Sequence, residues 1–187
     1  MRRLVLISVL PVAIAFVLAG NQYLNHGSAS EGAKGSVILL RHGDAPVGRD
    51  SPTNLRLDDC TTQRNLNDNG RGQASRLGQY FHAGGVHVGK IITSPMCRAE
   101  ETARLLDIGP VERSLDFIDL TNNKHIADQL IRKQRDIIAR WSGPGVLVIV
   151  THGANIEALT DLHIDPVEML VLEPKARRWR FVSLGPS

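Results

Sequence analysis

Two histidines carry the clearest chemical information in this sequence, because each is followed by glycine and each comes directly after a run of apolar residues. They are His42, which Arg41 precedes, and His152. A neutral imidazole is a competent nucleophile. Arginine presents a fork of donors that fits phosphate oxygens and stays charged at any working pH. Together with Arg98, these residues indicate a pocket for a dianion, since two guanidinium groups would repel a metal ion.

The elements that must position these residues alternate between strand and helix patterns from Ser36 onward. This alternation predicts an α/β domain with a mostly parallel sheet over residues 36–187. Ligands of such sheets bind beyond the carboxyl ends of the strands, where both histidines fall. The predicted strands are 37–40, 86–93 and 146–150, with a final edge hairpin at 169–172 and 180–182. The predicted helices are 68–82 with Asn67 as its cap, one opened by Ser94-Pro95 that carries Arg98, 123–141, and 155–162.

Four segments resemble the histidine phosphatase superfamily, which includes the cofactor-dependent phosphoglycerate mutases. They occur in the family's order and span nearly all of the chain after Ser36. The matching pieces are Leu39-Leu40-Arg41-His42-Gly43, Asn65-Leu66-Asn67-Asp68-Asn69-Gly70-Arg71-Gly72-Gln73-Ala74, Thr93-Ser94-Pro95-Met96-Cys97-Arg98-Ala99-Glu100-Glu101-Thr102-Ala103, and Val150-Thr151-His152-Gly153. The resemblance implies the family's three-layer α/β/α sandwich.

The resemblance also implies roles for the matched positions. His42 would be the nucleophile that carries a phosphoryl group, and Arg41, Arg98 and His152 would hold the phosphate oxygens. No metal or organic cofactor is required. Arg64 is a further candidate contact to substrate, the alternative being a loop arginine in a salt bridge. The remaining candidates for substrate binding are Gly43 and Gly153, because glycine lets backbone and ligand approach closely.

The proton donor is the missing part of the pattern. Family members that resemble the mutases carry a Glu in a Leu-x-Glu pattern, and here Phe117 falls at that position. Asp116 and Asp119 are the nearest carboxylates, and the sequence does not choose between them. Glu112 and Glu157 are more distant candidates. An enzyme without an acid is the other alternative, for substrates whose leaving group is already good.

The first 29 residues predict a signal peptide or an N-terminal membrane anchor. Arg2 and Arg3 precede an apolar run at residues 4–19, which is short for a membrane span, and small residues follow it. We therefore expect a bacterial protein that works in the periplasm or is secreted, unless residues 4–19 anchor it in the inner membrane. In an oxidising compartment Cys60 and Cys97 would form one disulfide, the alternative being two buried thiols.

These observations favour a phosphomonoester hydrolase that acts outside the cytoplasm on a small phosphorylated substrate, with sugar phosphates as one class. Small exported members of the family, such as the lipopolysaccharide core heptose-phosphate phosphatases, are the most similar subgroup. The alternatives are a protein phosphohistidine phosphatase and a phosphate-binding module without activity. Net charge is +3, of which the N-terminal segment supplies two charges, and no block of basic residues indicates a nucleic-acid partner.

Overall fold

The computed structural model of the protein describes residues 35–48, 50–51, 53–173 and 178–182. The predicted signal peptide or anchor at residues 1–29 lies outside this range. Within the range, no helix has both the length and the apolar character needed to cross a membrane.

Within the described residues, six strands form one mixed sheet. They are β1 (Val37–Arg41), β2 (Val88–Thr93), β3 (Val111–Arg113), β4 (Val146–Thr151), β5 (Met169–Glu173) and β6 (Arg178–Val182), in the spatial order β3-β2-β4-β1-β5-β6. Strands β1 to β4 pair in parallel, and the hairpin of β5 and β6 pairs antiparallel to β1. The predicted mostly parallel sheet with a final hairpin is confirmed.

Four α-helices cover both faces of this sheet. They are α1 (Asp68–Ala83), α2 (Cys97–Leu105), α3 (Ala127–Arg140) and α4 (Gly153–Thr160). Side chains of α1 and α2, such as Phe81 and Ala103, pack on one face with Leu40 and Val148. Side chains of α3 and α4 pack on the other face with Leu39, Leu147 and Ile149. The α/β/α sandwich is therefore present. It follows because successive side chains of a strand point to opposite faces, so an uninterrupted apolar strand supplies a core to both faces of the sheet.

The start of α2 differs from its predicted position. The pair Ser94-Pro95 was expected to open the helix with Ser94 as its cap, but α2 begins at Cys97 and the residue at its cap, Met96, makes no side-chain capping bond. Ser94 is fully buried, and its hydroxyl accepts a hydrogen bond from the Met96 backbone N–H at 3.3 Å. The two residues form a turn ahead of the helix.

Other boundaries differ in smaller ways. The predicted cap of α1 is confirmed, because the Asn67 side chain accepts a hydrogen bond from Gly70 N at 2.8 Å. Helix α3 begins four residues later than expected, after two short 3₁₀ turns at Leu120–Asn122 and Lys124–Ile126. Strand β3 was missed, because Glu112 and Arg113 are exposed polar residues in an edge strand of three residues that gives little apolar pattern.

Candidate active site

The two histidines of the sequence pattern meet at the carboxyl ends of neighbouring strands. His42 follows β1 and His152 follows β4, whose residues pair in parallel up to Arg41 and Thr151. The two imidazole rings lie edge to face with centroids 5.1 Å apart. Both side chains are buried, with residue exposures of 5% and 2%. The sheet therefore brings the two predicted catalytic histidines into one pocket.

The hydrogen bonds of His42 assign its tautomer. Its Nδ1 lies 2.7 Å from the backbone oxygen of Gly43, which can only accept, so Nδ1 carries the proton. The lone pair is therefore on Nε2, and Arg98 Nε donates to that atom at 3.2 Å. Burial lowers the pKa of His42 well below its ordinary value, and the charges of His152 and Arg98 lower it further. His42 is thus held neutral with an unprotonated Nε2, the form that acts as a nucleophile.

Arg98 is fully buried and connects most of the pocket. Besides its contact with His42, its Nη1 donates to Asp50 Oδ2 at 3.0 Å and to the backbone oxygen of Arg64 at 3.3 Å. Its Nη2 donates to Asp119 Oδ2 at 2.7 Å. Two carboxylates thus fix the plane of the guanidinium group, which offers its charge to an anion without having to reorganise.

The structure separates the two candidate proton donors. Asp119 lies in the pocket, where its Oδ2 is also 3.7 Å from His152 Nδ1. Asp116 does not reach the pocket, because its carboxylate pairs with Lys133 of α3 at 3.2 Å. Phe117 is fully buried in the core between the sheet and α3, so the position of the family's Glu holds a packing residue.

The more distant carboxylates face solvent. Glu112 pairs with Lys90 at the sheet edge, and Glu157 is exposed on α4. Among the described residues, no group of three or more His, Cys, Asp or Glu side chains is arranged to hold a metal ion.

Arg41 and Arg64 both donate hydrogen bonds to backbone oxygens. Arg41 donates to the backbone oxygen of Ile164 at 2.7 Å. Arg64 forms no salt bridge within the described residues, and donates instead to the backbone oxygens of Pro46 and Gly48 at 3.1 and 2.6 Å. Burial lowers the pKa of Arg64, and the nearby charge of Arg98 adds to this effect.

Three buried nitrogens of the pocket have no hydrogen-bond partner among the described residues: Arg41 Nε, Arg64 Nε and His152 Nδ1. Buried polar nitrogens are normally paired, because leaving one unpaired costs about 1–3 kcal/mol. These three nitrogens, two of which belong to arginine side chains, are donors suited to the oxygens of an anion.

The two glycines after the histidines serve different purposes. A Cβ on Gly43 would lie 2.6 Å from the backbone oxygen of Gly70, so the chain itself occupies the space that was expected to admit a ligand. At Gly153 the nearest atom to such a Cβ is Arg41 Nε at 3.6 Å, an ordinary contact. Gly43 is therefore needed for packing against α1, whereas Gly153 leaves room at the start of α4.

Several residues that position the pocket were not singled out in the sequence. Thr102 accepts from Gly43 N at 3.0 Å and donates to the Arg98 backbone oxygen at 2.7 Å, which ties the nucleophile's loop to α2. Asp50 also accepts from Arg64 N at 2.7 Å. Asp50 lies among other loop acids, and only its burial distinguishes it from them. Thr102 lies within the segment around Arg98 that resembles the family, and this position was the sequence feature that could have identified it.

The two cysteines lie at bonding distance. Their sulfur atoms are 2.08 Å apart and their Cα atoms 5.8 Å apart. In the same place, Gln63 accepts from Cys97 N at 2.9 Å and donates to the Arg56 backbone oxygen at 2.8 Å. The loop that supplies Asp50 and Arg64 is thereby joined to the first turn of α2, directly beside Arg98.

Comparison with known proteins finds a family match over part of the chain. Residues 37–120 match the family model described as histidine phosphatase superfamily, branch 1. The matched range contains His42, Arg98 and Asp119, and His152 follows it at the end of the neighbouring strand.

Curated relatives of the chain include two proteins named mitochondrial serine/threonine-protein phosphatase Pgam5. The protein of Drosophila willistoni is 31% identical over 122 residues, and that of Drosophila grimshawi is 37% identical over 122 residues. Each match covers 65% of this chain and 38% of the relative, so the chain spans well under half the length of these relatives.

Solved structures share the fold at low sequence identity. An open reading frame of Mycobacterium tuberculosis superposes with a TM-score of 0.60 at 14% identity, over 81% of this chain and 97% of that one. The protein histidine phosphatase SixA, complexed with tungstate, gives 0.53 at 16% identity, over 79% and 94%. A mycobacterial glucosyl-3-phosphoglycerate phosphatase gives 0.54 at 18% identity, over 80% and 97%. These likenesses confirm the predicted fold.

Proposed function

We propose that the protein is a phosphomonoester hydrolase that acts through a phosphohistidine formed on His42. The observation that carries this proposal is the unprotonated Nε2 of His42, held by Arg98 in a pocket with three unpaired buried nitrogens. Phosphoryl transfer needs mainly positioning and stabilisation of charge, which this arrangement supplies.

The reaction has two steps in this proposal. First, His42 Nε2 attacks the phosphorus, a P–N bond forms, and the P–O bond to the leaving group breaks with its electron pair on that oxygen. The leaving oxygen takes up a proton from the carboxyl group of Asp119. Then water attacks the phosphohistidine and gives a proton back to that carboxylate, the P–N bond breaks, and inorganic phosphate and neutral His42 result. Arg41, Arg98 and His152 would hold the phosphoryl oxygens in both steps.

Asp119 is the proposed proton donor, because it is the carboxyl group that the pocket contains. Its Oδ2 accepts from Arg98 Nη2 and lies 3.7 Å from His152 Nδ1, so this carboxyl group lies beside both residues that would hold the phosphoryl oxygens. Asp119→Asn should slow hydrolysis of alkyl phosphates, whose leaving oxygen needs a proton, far more than hydrolysis of nitrophenyl phosphate. Asp116→Asn is the matched control, and equal losses on both substrate types for Asp119→Asn would contradict this role.

The nucleophile is tested by trapping the intermediate. Wild-type protein mixed briefly with a 32P-labelled substrate and quenched in alkali should carry label on His42, in amounts that approach one per chain. His42→Ala should carry none and lose hydrolysis while keeping its fold, whereas His82→Ala, at an exposed histidine of α1, should behave as wild type. A fully active His42→Ala protein would refute the proposal. A protein that binds phosphate but never becomes labelled would instead be a binding module.

We place the activity outside the cytoplasm, on the strength of the sequence of residues 1–29 and of the paired cysteine positions. Fusion of residues 1–35 to a reporter that is active only after export tests this location. An inactive fusion, with fractionation that finds the full chain in the cytoplasm, would reject it.

The substrate class is tested by a screen of the whole chain over three groups. Sugar phosphates, including lipopolysaccharide core heptose phosphates, represent the small substrates that we favour. Phosphopeptides represent the second candidate, because curated relatives are named protein phosphatases and SixA is named a protein histidine phosphatase. A kcat/KM for phosphohistidine peptides well above that for every sugar phosphate would favour the second candidate.

A further inference from the structure

We infer that the buried hydroxyl of Ser94 fixes the tautomer of His152, so that the Nδ1–H of His152 points into the phosphate pocket. The assignment of the tautomer rests on geometry alone, and its catalytic consequence rests on the proposed phosphatase function. Ser94 is fully buried at the end of β2, and its Oγ lies 2.7 Å from His152 Nε2.

The direction of this hydrogen bond follows from the other contacts of Ser94. A hydroxyl has one proton to donate and can accept two hydrogen bonds. Ser94 Oγ already accepts from Met96 N at 3.3 Å, and His152 Nε2 is the sole acceptor that its proton reaches among the described residues. If His152 Nε2 carried the proton instead, the buried Ser94 O–H would have no acceptor.

The opposite nitrogen of His152 gives independent support. Its Nδ1 faces Asp119 Oδ2 at 3.7 Å and makes no hydrogen bond. A lone pair on Nδ1 would point toward a carboxylate oxygen, which is repulsive, whereas an N–H there is attracted to it. Both ends of the ring therefore favour the same tautomer. Burial also lowers the pKa of His152 well below its ordinary value, so the ring has one proton to place.

This tautomer gives the pocket two imidazoles with opposite functions. His42 presents an unprotonated Nε2, and His152 presents a protonated Nδ1, with ring centroids 5.1 Å apart. One ring attacks the phosphorus while the other donates to a phosphoryl oxygen. Ser94 is then a positioning residue that acts through His152, and the fold supplies it from the strand next to β4.

The experiment measures the tautomer directly, by 15N–1H correlation spectra of the imidazole rings in the full chain labelled at histidine, above the pH at which free imidazole titrates. In wild type, His152 should show its proton on Nδ1. In Ser94→Ala the proton should move to Nε2 or divide between the two nitrogens. Ser114→Ala is the matched control, because Ser114 Oγ accepts from the backbone N–H of Asp116 at 3.3 Å in a similar turn and does not contact His152.

Kinetics provide the second measurement. Ser94→Ala should lose about tenfold in kcat, the loss expected when one hydrogen bond to the phosphoryl group is misdirected, and Ser94→Thr, which keeps the hydroxyl, should recover part of it. A wild-type spectrum with the proton on His152 Nε2 would overturn the inference, even if Ser94→Ala does not fold. An unchanged His152 spectrum in Ser94→Ala would also overturn it. The predicted spectra in a protein without phosphatase activity would support the tautomer and contradict only the proposed function.

Discussion

Asp50 provides a test of how the pocket is held together. Its side chain is 2% exposed, and its two oxygens have separate partners, since Oδ2 accepts from Arg98 Nη1 at 3.0 Å and Oδ1 accepts from Arg64 N at 2.7 Å. Asp50→Ala would leave a buried guanidinium with one carboxylate partner instead of two. It would also remove one of the contacts that hold the loop around Arg64 beside α2, while the cysteine pair and Gln63 keep theirs.

The magnitude follows from these contacts. Removal of one partner from a buried ion pair costs about 3–5 kcal/mol, and the lower end applies because Asp119 still pairs with Arg98. For a domain of this size, 1 kcal/mol corresponds to about 2–4 °C in Tm. We therefore expect Asp50→Ala to lower Tm by about 6–12 °C.

The assay is thermal unfolding with and without tungstate, an oxyanion with the shape of phosphate. Tungstate should raise the Tm of wild type, and it should raise the Tm of Asp50→Ala by less, because Arg98 is no longer held in one orientation. Asp136→Ala is the matched control, since Asp136 pairs with Arg140 in an exposed ion pair at 3.6 Å that contributes little. An Asp50→Ala protein with the Tm and the tungstate response of Asp136→Ala would refute this account of the pocket.

Three further predictions concern the cysteines, two glycines and the pocket histidines. The double variant Cys60→Ser/Cys97→Ser should lose up to about 4 kcal/mol of unfolding free energy, because the disulfide closes a loop with a sequence separation of 37. Titration that finds two free thiols in unfolded, unreduced wild type would contradict the pairing. Gly43→Ala should strongly lower the urea midpoint of unfolding, because the new Cβ would collide with the Gly70 backbone, whereas Gly153→Ala should leave the midpoint nearly unchanged. Equal midpoints for the two variants would contradict the close contact between Gly43 and Gly70. Both buried histidines have a lowered pKa in the folded state, so the unfolded state takes up protons first as the pH falls. The free energy of unfolding should therefore decrease below about pH 6.5, by up to about 1.4 kcal/mol per pH unit for each histidine. Equal urea stability at pH 7.5 and 5.5 would contradict that sign.

The parts of the fold that the sequence predicts well are those with a strong apolar pattern. Strands β1 and β4 are buried on both faces of the sheet, and a short uninterrupted apolar run is typical of such strands. The cap at Asn67 was also predictable, because its side chain satisfies a local backbone donor. Such features depend on neighbours in the sequence, which a reader of the sequence can see.

The features that escaped prediction depend on distant neighbours. The short strand β3 is specified by pairing with β2 rather than by its own residues. The late start of α2 reflects the contact of Ser94 with His152, 58 residues away. In the same way, Asp119 and Asp116 differ in their distant partners, because one carboxylate meets Arg98 and the other meets Lys133.

The contacts of Arg98 also determine how experiments on this pocket must be designed. One guanidinium joins His42, two carboxylates and the backbone of a loop that a cysteine pair holds in place. Substitutions at residues that share a partner do not have additive effects. An Arg98→Ala variant would remove phosphate contacts and unpair two acids at once, so its lost activity would not measure either effect. Double-mutant cycles between Asp50 and Asp119, measured with Arg98 intact, can separate the energy that holds this arginine from the energy that it gives to the substrate.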